Sequence, residues 1–71
     1  MKKLTNAIAL LDTMTPEALL ALELAIERVS EQFARSDDFI ALHRIGCIVN
    51  DAGRRNAGND YAEAYLEAHS K

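Results

Sequence analysis

Apolar and polar residues alternate along this chain with a helical period. At about 100° per residue, the run from Thr15 to Arg35 places Ala18, Leu19, Leu22, Ala25, Ile26, Val29 and Phe33 on one arc. Leu20 and Leu24 point nearly opposite, beside Glu23, Glu27 and Glu31. One apolar stripe suffices to build a core; a second needs another partner, in the chain or in another molecule. The start of this helix is well marked. Thr15 suits an N-cap, Pro16 the first helical position, and Glu17 the positive end of the helix dipole.

The same period predicts three further helices. Leu4, Ala7, Ile8 and Leu11 share a face of a helix over residues 2–11, followed by a short link, Asp12-Thr13-Met14. Ser36-Asp37-Asp38 breaks the pattern and can cap a third helix running from about Asp37 to Ala52, with Ala41, Leu42, Ile45, Ile48, Val49 and Ala52 on its core arc. Gly46 inside it costs roughly 1 kcal/mol relative to Ala and suggests close packing or a bend. Gly53 reads as a helix stop and Arg54 to Asn59 as a loop. Asn59 or Asp60 then caps a short helix to about Ala68, whose weakly apolar face carries Tyr61, Ala64, Tyr65 and Ala68. So short a helix does not persist alone in water and must dock.

With Gly and Pro few and confined mostly to breaks, the expected fold is all-α: a compact bundle of three to four helices in one domain, residues 1–71. Its centre would be a helix 2–helix 3 hairpin, with Ile26, Val29 and Phe33 on Leu42, Ile45 and Val49. Helix 1 would lie across it through Leu4, Ile8 and Leu11, and would cover Leu20 and Leu24 or leave them exposed. A chain of 71 residues buries a low fraction of its surface, which favours stabilisation by a second copy or a partner.

Composition narrows the setting. The single cysteine, Cys47, excludes an internal disulfide and fits a reducing compartment. Met1-Lys2-Lys3-Leu4 begins like a signal peptide, but Thr5, Asn6 and Asp12 interrupt the apolar stretch that follows. No apolar run reaches bilayer-spanning length. The expectation is a soluble, cytoplasmic protein. A net charge of −3 argues against binding nucleic acid over the whole surface.

Few residues suggest chemistry. His43 and Cys47 are four apart on a helix, with Asp51 one turn further, a spacing open to metal ligation or thiol activation. No Cys-x-x-Cys or His-x-x-x-His accompanies them, so the simpler reading is a partly buried Cys and a surface His. Without a phosphate loop, a defensible Ser-His-Asp set or a cofactor motif, the chain is not expected to be an enzyme or to carry a cofactor or metal. Its carboxylates read as mostly exposed on helix faces.

The first functional expectation is therefore a non-enzymatic, protein-binding regulator or inhibitor module, acting as a homodimer on a larger protein, the acidic residues suiting a partner with a basic surface. Leu20, Glu23, Leu24, Glu27 and Glu31 would form an acidic, leucine-studded contact strip, with Ile40 and Cys47 as a second patch. The alternative is a small nucleic-acid-associated transcriptional regulator using Arg44, Arg54 and Arg55, with Lys2 and Lys3. Two arginines at a helix C-terminus also complement its dipole without any ligand. In size, charge and helix count the chain is similar to small bacterial regulators of larger DNA-binding proteins. It is similar in the same respects to accessory or inhibitor proteins of phages and plasmids. No residue motif carries either resemblance.

Overall fold

The structure is a computed structural model that describes residues 2–70, with side chains described from Ala7 to Ser70. It is all-α: α1 (Lys2–Leu11), α2 (Pro16–Gln32), α3 (Asp38–Ala57) and α4 (Asn59–His69). The α2–α3 hairpin is the centre of the bundle, and α4 packs on both its helices while α1 meets α3.

The start of α2 follows its local chemistry. Thr15 is extended (φ −70°, ψ 155°), and its Oγ1 accepts a hydrogen bond from the Ala18 amide at 3.2 Å. The helix ends at Gln32, three residues before the expected Arg35. Phe33 leaves the helical region, and the Ser36 hydroxyl accepts from the Asp38 amide to open α3.

Gly53 does not stop α3, which continues through the expected loop to Ala57. Arg54 and Arg55 thus lie in its last turn, where their charge complements the dipole. The break comes at Gly58 (φ 58°), the only described residue with positive φ, which alone separates α3 from α4. Gly53 is instead a notch: a Cβ there would lie 2.2 Å from the Tyr61 ring. Gly46 lacks that constraint, since a Cβ would meet Ile26 at 3.6 Å, an ordinary contact.

The core is small. Leu19, Val49, Ala52 and Tyr61 are its buried apolar residues, with Leu11, Met14, Leu20, Leu22, Ile26 and Ala57 packed against them. The expected packing of Val29, Phe33 and Ile45 inside the hairpin is overturned: they are 45%, 43% and 47% exposed. The reason is rotational. Leu19, Glu23 and Ser30 are the residues of α2 turned inward, which swings the Val29–Phe33 side out. Leu20 and Leu24 are half-buried. The expected Leu4 contact lies outside the described side chains.

The Cα extents are 37 × 33 × 14 Å, with a radius of gyration of 12.4 Å. A compact chain of this length has a radius near 11 Å. The bundle is a flattened slab, its shortest dimension less than half of either of the others.

Candidate functional site

Between α2, α3 and α4 the slab opens into a groove of about 590 Å³. Ile26, Leu42 and Gly46 contribute apolar surface to it, as do Phe39 and Leu66, both exposed. Its acidic residues are Glu23, Glu27, Glu31 and Asp51, and Arg54 is its one arginine.

The acidic row of α2 divides by depth. Glu23 is only 5% exposed, which corrects the expectation that it is a surface carboxylate. Both its oxygens accept from Asn50 Nδ2 at 3.1 Å, and Oε1 also accepts from the Tyr61 hydroxyl at 2.6 Å. Burying a carboxyl group without such partners would be costly. Among the described residues, no buried side-chain nitrogen or oxygen lacks a partner. One turn on, Glu27 accepts from the Tyr65 hydroxyl and faces His69 Nε2 at 2.9 Å. Glu31, a further turn along, is exposed. Tyr61 and Tyr65 repeat at the same four-residue spacing as Glu23 and Glu27, so α4 docks through two rungs of equal pitch, and His69 reaches back to Glu27.

The two tyrosines respond to these neighbours. Burial, the hydrogen bond to Glu23 and the nearby negative charges push the Tyr61 hydroxyl far above its ordinary value. The bond to Glu27, with burial, pushes Tyr65 up to about 12. Both stay protonated donors at neutral pH.

The other residues singled out in the sequence are scattered. Leu20 packs on the core near the start of α4 and borders a small recess with Pro16, Ala57, Tyr61 and Ala64. Ile40 and Cys47 are exposed on α3. Cys47 Sγ lies 3.7 Å from His43 Nε2, and the His43 ring stacks on Phe39. Among the described residues, no three His, Cys, Asp or Glu side chains are grouped to hold a metal ion. Among the described residues the basic side chains do not form one patch: Arg55 pairs with Asp12 at 2.9 Å, while Arg54 borders the acidic groove; Lys2 and Lys3 lie outside the described side chains. Helical spacing turns Arg44 away from Arg54 by about 80°.

No described helix is long and apolar enough to cross a membrane. The chain matches no protein-family model, no curated protein and no solved structure.

Proposed function

We propose that the chain is a small, non-enzymatic protein-binding module that regulates or inhibits a larger protein and works as a homodimer. The observation that carries the binding role is the groove. It joins apolar surface from Ile26, Leu42, Phe39 and Leu66 to carboxylates at Glu27, Glu31 and Asp51. Its volume is that of a binding cleft, with room for a few anchoring side chains. The chemistry it fits is a basic amphipathic segment of a partner, with apolar anchors in the groove and Lys or Arg against the acids.

Two observations favour binding over catalysis. The tyrosines with shifted hydroxyls are shifted upward and engaged in holding α4, the opposite of an activated nucleophile. The exposed His43–Cys47 pair is joined by no third His, Cys, Asp or Glu side chain among the described residues. The nucleic-acid alternative has less support, because Arg55 is already paired and Arg54 sits among carboxylates.

The test is affinity capture from the native cell with the full chain and with an E31K/D51K variant, both at exposed positions. We expect the variant to remain helical and to lose a protein that the original chain retains, with retention weakening as salt rises. Equal retention of the same proteins by both chains would exclude the groove as the docking site.

A further inference from the structure

Among the described side chains, α1 is held to the bundle at one end. Its last residue, Leu11, and Met14 just beyond it pack on the core. The Arg55–Asp12 ion pair and the Asn56 bond to the Met14 carbonyl also lie beyond the end of the helix. From Ala7 to Leu10 no side chain is buried, and Leu10 is 64% exposed. These anchors keep α1 out of the groove of its own chain, which no described side chain of α1 lines.

The sequence of α1 nevertheless matches that groove. It is the only one of the four helices that carries Lys or Arg and no Asp or Glu: Lys2 and Lys3 are its charges. Leu4, Ala7, Ile8 and Leu11 share one arc of it. The groove offers the complement, with apolar surface at Ile26, Leu42 and Leu66 and exposed carboxylates at Glu31 and Asp51. No described basic side chain pairs with either carboxylate. The lengths agree as well. The ten residues of α1 span about 15 Å, and the α3 wall from Phe39 to Arg54 spans about 22 Å.

We propose that the groove of one copy takes α1 of a second copy, and that the exchange is returned. The inference rests on the groove and homodimer parts of the reading above and names the segment that makes the dimer. Leu4, Ala7 and Ile8 meet the apolar surface, and Lys2 and Lys3 meet Glu31 and Asp51. Leu11 stays with its own core. A two-fold axis makes both exchanges alike and closes the assembly at two chains. The basic segment of a larger protein enters by displacing one α1, while the other α1 keeps the copies joined.

Cys47, the one cysteine of the chain, lies midway along the α3 wall and supplies the test. Ala7 lies midway along α1, so the two positions meet whichever way the helix runs. A7C chains, half of them labelled with nitrogen-15, are mixed dilute, concentrated and oxidised with glutathione disulfide. The expected product is a disulfide from position 7 to Cys47 that joins labelled to unlabelled chains. It should be several-fold more abundant than the corresponding product of A9C, a position about 160° around the same helix. Light scattering over a concentration series should give twice 7.8 kDa, falling toward the single-chain mass on dilution. K2E/K3E should run as a single chain, and adding E31K/D51K to it should restore the pair. The proposal is overturned by a single-chain mass for the original protein at every concentration, or by a dimer that survives K2E/K3E. Equal yields from A7C and A9C, or disulfides to Cys47 found only within one label, overturn it too. Should the charge variants lose helicity, the comparison of A7C with A9C decides alone. If α1 fails to cross-link while E31K/D51K still loses its captured protein, the exchange falls and the groove keeps its role.

Discussion

The Tyr61 hydroxyl donates to Glu23 Oε1 at 2.6 Å, joining α4 to α2 across 38 positions of sequence. The bond lies in the core, where Tyr61 is 2% exposed. A hydrogen bond to a charged group contributes about 1.5–3 kcal/mol, and a buried group that loses its partner is penalised as well. We expect Y61F to lose about that much stability in urea unfolding. Y65F should cost less, because Glu27 is only partly buried and keeps His69.

The two glycines within α3 should respond oppositely to alanine. At Gly53 the added methyl enters the space of the Tyr61 ring, and overpacking of this kind costs about 1–3 kcal/mol or more. At Gly46 there is ordinary room beside Ile26, so G46A should gain up to about 1 kcal/mol through helix propensity. Thermal unfolding of the two variants checks both signs.

Alkaline pH should undo the docking of α4. Both hydroxyls have folded values raised above the ordinary value of 10. Between pH 10 and about 12 the unfolded chain therefore binds fewer protons than the folded one, and stability falls as pH rises. Below pH 10 the contribution is fully present. Phenolate absorbance and helicity followed together should show ionisation delayed beyond pH 10 and accompanied by loss of structure. In Y65F the part of the loss tied to Tyr65 should disappear.

The Arg55–Asp12 ion pair has both side chains more than half exposed, so it should contribute little. D12A is expected to cost less than about 1 kcal/mol. Its effect should be confined to faster amide exchange in α1.

Much of the fold was legible in the sequence. The bounds of α1 and the Thr15-Pro16-Glu17 start of α2 follow from short-range rules that tertiary contacts did not override. The polar core was not legible by the same reasoning. A row of glutamates reads as solvated unless its donors are known, and those donors, Asn50 on α3 and Tyr61 and Tyr65 on α4, lie far along the chain. The available signal was the matching pitch of Glu23–Glu27 and Tyr61–Tyr65. Gly53 was misread because helix stops and ring notches both select glycine, and only the position of Tyr61 tells them apart. Periodicity likewise gives which residues share an arc, not which arc faces inward. Glu23 and Ser30 turned inward, and Val29 and Phe33 turned out with the same rotation.

The Gly58 corner bears on the order of assembly. Seating Tyr61 in the Gly53 notch closes a loop of only eight residues. Loops of that length form in tens of nanoseconds and lose little chain entropy. We expect this corner to be an early folding nucleus, so that G53A slows refolding, while E23Q acts mainly on the rate of unfolding. Stopped-flow kinetics on the two variants would separate these effects.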